Sequence, residues 1–158
     1  MDLKITTPSD TEIVVTRSFA APRQFVFDCH TRADLIPRWM GGPDGWTMSE
    51  CSADARPGGR YRYVWRHEDG RSMGAGGTYH DIVSPERIVH DEMFDEDWTG
   101  GETINTISLT EHDNRTHLSH HMLFKSKTGR DAALSSGVNA SMEPIYARID
   151  AMAAQQAA

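Results

Sequence analysis

The chain has 158 residues and a mass of 17.7 kDa, which suits one domain, 1–158, and is short for two. Its 16 Lys and Arg stand against 23 Asp and Glu, a formal charge of −7, so nucleic acid and anionic membrane surfaces are repelled on average. With 38% hydrophobic and 25% charged residues, and no apolar run near the ~20 residues that cross a bilayer, the composition excludes wholesale disorder and membrane insertion. Met1 to Asp10 is polar and lacks the apolar stretch of a secretory signal, and two cysteines, Cys29 and Cys51, are too few for a disulfide framework. A reducing, cytoplasmic setting is therefore expected. The ordered core is expected over about 10–152, with 1–9 and the Ala/Gln tail 153–158 flexible.

The β-branched run Glu12 to Phe19 predicts a strand that ends at Ala21-Pro22, where Pro22 suits the start of a helix carrying Phe25, Val26 and Cys29 on one face. Thr31, three residues before Asp34, resembles a capping box and predicts a second helix kept short by Pro37. After the turn around Gly41-Gly42-Pro43 come strands at Trp46 to Ala53 and Arg60 to His67, parted by Pro57-Gly58-Gly59. Asp69-Gly70 predicts a hairpin into Arg71 to Ile82, and Ser84-Pro85 ends that strand. Strands follow at Arg87 to Phe94, Thr103 to Thr110 and Thr116 to Phe124, the last two joined at Asp113-Asn114. From Thr128 onward Leu134, Val138, Met142, Ile145, Ile149 and Met152 recur at helical spacing, predicting one long terminal helix. Pro144 and the nearby Gly137 predict a bend in it.

This order predicts an α+β architecture: a curved antiparallel sheet of about seven strands, two short helices after the first strand, and a long C-terminal helix lying on the sheet. A strongly twisted sheet curled round one helix leaves a hollow between them.

The segments Arg17-Ser18-Phe19-Ala20-Ala21-Pro22, Arg56-Pro57-Gly58-Gly59-Arg60-Tyr61-Arg62-Tyr63, Ser84-Pro85-Glu86-Arg87-Ile88-Val89, and Ser136-Gly137 leading to Tyr146-Ala147-Arg148-Ile149 resemble those of the heat-shock-protein-90 ATPase activator homologue family, in its bacterial single-domain branch. The resemblance implies the helix-grip fold of the START/Bet v 1-like (SRPBCC) superfamily. It is carried by turn and packing residues, which specify fold more than activity.

Strand alternation places Tyr61, Tyr63 and Trp65 on the inner face and Arg60, Arg62 and Arg66 outside. It turns Ile88, His90, Glu92 and Phe94 inward, with Asn105, Ile107 and Leu109, and with Leu118, His120, Met122 and Phe124. The expected function is binding of a small, largely apolar or aromatic ligand, with Trp39, Tyr63, Trp65, Tyr79, Phe94, Trp98, Met122, Met142 and Tyr146 as lining. The loops at Gly41-Gly42 and Gly100-Gly101 would gate it.

An alternative is a cyclase, dehydratase or hydrolase that uses His90, Glu92 and His120 as acid/base groups. A third reading, implied by the family resemblance, is a chaperone-ATPase-activating or other protein-interaction module, including pairing with a second copy. His117, His120 and His121 lack the spacing of a metal site, since neighbours on a strand diverge, and neither metal nor cofactor is expected. Cys29 beside His30 lacks a third catalytic partner and reads as a buried structural thiol. The acidic run Asp91, Glu92, Asp95, Glu96, Asp97 and Glu102 reads as a solvated loop, with steering of a cationic ligand as its functional alternative.

Overall fold

The computed structural model describes residues 3–42 and 44–157, the side chains of 137–141 excepted, so Pro43 and the side-chain surroundings of Gly137 lie outside the described residues. After β1 (Lys4–Thr6) and β2 (Glu12–Phe19), α1 (Arg23–Thr31) and α2 (Ile36–Trp39) carry the chain across to β3 (Trp46–Ala53). A meander follows: β4 (Arg60–His67), β5 (Ser72–Val83), β6 (Arg87–Phe94), β7 (Thr103–His112) and β8 (Arg115–Leu123). Among the described residues these make one eight-stranded antiparallel sheet, ordered β1-β2-β8-β7-β6-β5-β4-β3. The chain closes with α3 (Lys127–Ala133), a π-helical turn at Leu134–Val138, and α4 (Asn139–Ala157).

The strand at Lys4–Thr6, which lacks a recognisable pattern of its own, exists by pairing with Val14–Thr16 and raises the expected seven strands to eight. Regular structure thus extends into both terminal segments. Thr31 does not cap a second helix. Its hydroxyl donates to the Phe27 carbonyl at 3.0 Å and so closes α1, while α2 starts after Leu35 without a side-chain cap. The long terminal helix is interrupted, because the π turn inserts an irregular step between α3 and the helix that carries Pro144. Asp113 and Asn114 both adopt left-handed φ, 51° and 58°, the mirror-image turn that matches the strand twist between β7 and β8.

The inner face holds the core. Ile13, Val15 and Phe19 of β2 are wholly buried, and Tyr146, Ile149 and Met152 of α4 are buried in the same core, Tyr146 edge-on to Phe19. A bulge between Tyr79 and Asp81 shifts the β5–β6 register, so that Tyr79 and Ile82 both turn toward the core. Arg17, on the same face of β2, is also buried. It holds α4 from beneath, donating to Glu143 at 2.7 and 2.9 Å and to Asp150 at 2.8 Å.

Candidate functional site

Between the sheet and α4 lies a cavity of about 340 Å³. Its walls come from α2 (Trp39), β4 (Tyr63, Trp65), β5 (Tyr79), β6 (His90, Glu92, Phe94), the β6–β7 loop (Trp98), β8 (His120, Met122) and α4 (Met142, Tyr146). Every residue nominated from the sequence as lining or as an acid/base candidate therefore borders the same hollow. The large rings are fixed by their polar edges. Trp39 donates from Nε1 to the Cys29 carbonyl at 2.7 Å, and Trp65 donates to the Met40 carbonyl at 2.8 Å. Trp39 also stacks on Tyr146, with ring centres 5.9 Å apart.

A polar patch crosses three adjacent strands. Glu92 on β6 lies opposite Thr103 on β7, and His90 lies opposite Asn105; His120 on β8 donates from Nε2 to Asn105 Oδ1 at 2.8 Å. The Asn105 amide is oriented by its own donation to Thr103 Oγ1 at 3.2 Å. Tyr61 joins the patch from two strands away. Its cross-strand partner is Gly77, where an added Cβ would stand 2.0 Å from the Asp91 carbonyl oxygen. The missing side chain lets the Tyr61 hydroxyl donate to that carbonyl at 2.7 Å. With its proton committed there, Tyr61 accepts from His90 Nδ1 at 3.1 Å. From α1, His30 donates Nδ1–H to the Val26 carbonyl at 2.8 Å.

Those partners fix the tautomers: Nδ1–H for His30 and His90, Nε2–H for His120. Burial makes all three hard to protonate, lowering His30 and His90 to about 4 and His120 to about 3. Burial acts oppositely on Glu92, whose carboxyl is pushed up to about 7 and has no hydrogen bond or ion pair among the described residues. Long-range ¹⁵N–¹H spectra are expected to show these three neutral tautomers unchanged from about pH 8 down to about pH 5.5. An imidazolium signature in that range would contradict the network.

The other candidates disperse. His117 bonds Ser18 Oγ at 2.8 Å and His121 bonds Glu12, both away from the cavity, so the three histidines of β8 do not converge. Cys29 is wholly buried, and burial lifts its thiol to about 12. The acidic run is not one solvated loop: Asp91 and Glu92 belong to β6, Asp91 bonding His80 at 2.6 Å and Glu92 facing the cavity. Beyond β6, Asp95 pairs with Arg62 at 2.6 Å and Glu102 with Lys125 at 3.6 Å. The Gly41-Gly42 segment is tied to α4, since Arg148 donates to the carbonyls of Trp39 and Gly42 at 3.3 and 3.0 Å.

Sequence reading missed His30 and Tyr61 as cavity groups. His30 lies one helical turn after Val26, and that spacing was the available signal. Tyr61 reaches the patch only because Gly77 lies opposite, a pairing that one strand's pattern does not display.

A curled antiparallel sheet gripping a C-terminal helix over a hollow defines a helix-grip protein of the START/Bet v 1-like class. Residues 20–154 match the family described as Activator of Hsp90 ATPase homolog 1-like protein, and the chain belongs to that family. It is similar to a solved Rhodobacter sphaeroides protein at 32% identity and a TM-score of 0.92, over 98% of this chain and 99% of the other. Solved proteins from Mycobacterium smegmatis (23% identity, TM-score 0.81, 96% of each chain) and Nitrosomonas europaea (17%, 0.83, 96% of this chain and 99% of that one) share the fold. No curated protein matches the chain.

Proposed function

We propose that the protein binds a small, largely apolar molecule in the cavity between the sheet and α4. The observation that carries the reading is the hollow of about 340 Å³ walled mainly by aromatic and aliphatic side chains, a size and character suited to small-molecule sites. It supports ligand binding over the interaction-module reading, which a filled core would favour. The two free thiols, Cys29 and Cys51, suit a reducing cytoplasm.

The test uses the neutral fluorescent probe N-phenyl-1-naphthylamine. Saturable, blue-shifted binding by the wild type is expected, together with its loss in Met142→Trp, which fills the hollow from the helix side. No binding at the probe's solubility limit, or equal binding by a folded Met142→Trp, would overturn the reading.

One observation favours acid/base catalysis in the same hollow: Glu92, the carboxyl raised to about 7, shares it with His90, whose neutral imidazole retains a lone pair. On that reading, a native ligand identified by mass spectrometry would be converted by the wild type and left unchanged by Glu92→Gln.

A further inference from the structure

The cavity wall is unbalanced in its charge, with one carboxyl, Glu92, and no cation among the described residues that line it. Each neutral imidazole has one proton, and all three protons are already given to protein acceptors: Val26 O by His30, Tyr61 Oη by His90, and Asn105 Oδ1 by His120. The second ring nitrogen of each is therefore an acceptor. The indole N–H groups of Trp39 and Trp65 and the hydroxyls of Tyr61, Thr99 and Ser136 are likewise spent on backbone carbonyls. Glu92 adds two acceptor oxygens when ionised, and among the described residues no Lys or Arg borders the cavity. Donor capacity remains too, in the hydroxyls of Tyr63 and Tyr79, which interact with each other, and in those of Thr103 and Tyr146, so the imbalance of the wall lies in its charge.

From this uncompensated carboxyl and the imidazole nitrogens beside it we propose that the ligand is an apolar or aromatic molecule bearing a protonated amine, its ammonium seated on Glu92 beside the acceptor nitrogens of His90 and His120. This rests on the ligand-binding reading above and names its chemical class. An ammonium brings several N–H donors and the charge complementary to the Glu92 carboxylate. The Tyr61 and Tyr63 rings, which share the wall with Glu92, add cation–π attraction; burial first and then the Glu92 charge raise the Tyr61 phenol above its ordinary value. An anionic ligand meets the reverse arrangement, a carboxylate with no cation to offset it.

The polar groups that share the cavity with Glu92 include Tyr61 and Tyr63 from β4, Tyr79 from β5, His90 on its own strand, Thr103 and Asn105 from β7, His120 from β8, His30 from α1 and Tyr146 from α4. All are neutral near pH 7, so Glu92 is the group whose ionisation sets the charge of the wall.

The experiment is calorimetric titration with 2-naphthylmethylamine, 2-naphthylmethanol and 2-naphthoate, against the wild type and Glu92→Gln, near pH 6 and near pH 8. The amine is expected to bind about tenfold tighter at the higher pH as Glu92 ionises, the alcohol to show no such gain, and the carboxylate to bind least. Glu92→Gln is expected to abolish the amine's pH step and to weaken the amine about tenfold more than the alcohol at the higher pH. An amine no tighter than the carboxylate near pH 8, or a pH step that survives in Glu92→Gln, overturns the assignment. Should the variant fail to fold, the contrast between amine and alcohol across pH in the wild type decides. Alcohol binding without preference for the amine refutes the amine class alone; no binding by any of the three refutes the ligand-binding reading with it.

Discussion

Acidification from about pH 6.5 to about pH 4.5 is expected to remove several kcal/mol of stability, at about 2–3 kcal/mol per pH unit. His30, His90 and His120 are held neutral in the fold, with values near 4, 4 and 3 against 6.5 in the unfolded chain. The unfolded chain therefore binds more protons in this window, and the stability that these groups contribute, complete above about 6.5, is lost as the pH falls toward their folded values. Glu92 works the other way. Its folded value of about 7 lies above its ordinary 4.5, so its contribution is complete below the ordinary value and is lost as the pH rises through 7. Three histidines against one carboxyl leave a net uptake of about two protons on unfolding, with maximal stability near neutrality. Urea unfolding across this range measures the slope, and His120→Gln should reduce it by about one proton equivalent. Stability that stays level or increases toward pH 4.5 would contradict the account.

Replacing Arg17 with Met is expected to destabilise the protein by about 3 kcal/mol and to speed amide exchange in α4. The guanidinium is only 2% exposed and bridges Glu143 and Asp150, which lie two turns apart on the helix. It also lies over the Phe19 ring at 4.9 Å, and Phe19 packs edge-on against Tyr146. Methionine retains much of the aliphatic stem but removes the buried cation that joins Glu143 and Asp150 to the sheet. Because Arg17 holds the Glu143 carboxyl below its ordinary range, this clamp is intact above about pH 4.5 and is lost as the pH falls through the lowered value. Acid weakening at the clamp therefore adds to that of the histidines at the low end of their window. A double-mutant cycle with Glu143→Gln isolates the pair; a variant as stable as the wild type would show that the clamp carries no stability.

Most of the strand plan was legible because alternation and turn chemistry act locally. Tyr61, Tyr63 and Trp65 against Arg60, Arg62 and Arg66 announce their faces, and Asp69-Gly70 and Asp113-Asn114 announce their turns. The first strand was hidden since Lys4–Thr6 gains its conformation from β2 alone. The π turn escaped because Leu134 to Met152 keeps helical spacing on both sides of one extra residue. At the site, residue faces could be read, but proton allocation could not. That Tyr61 donates to Asp91, and so takes the Nδ1 proton of His90 and leaves Nε2 as that ring's acceptor, depends on β4, β5 and β6 lying side by side with glycine between them.

The rim of the hollow is fastened unequally. On one side Arg148 and Trp65 tie the stretch from Trp39 to Gly42 to the helix and the sheet. On the other, Trp98, partly exposed, rests on Phe94, with Met73 open to solvent nearby on the cavity wall. Molecular traffic should therefore pass beneath Trp98, and the residence time of a bound molecule should depend on how often that indole swings aside. Dissociation rates would then be tuned at the loop while selectivity is set at the floor, so each property can change without disturbing the other.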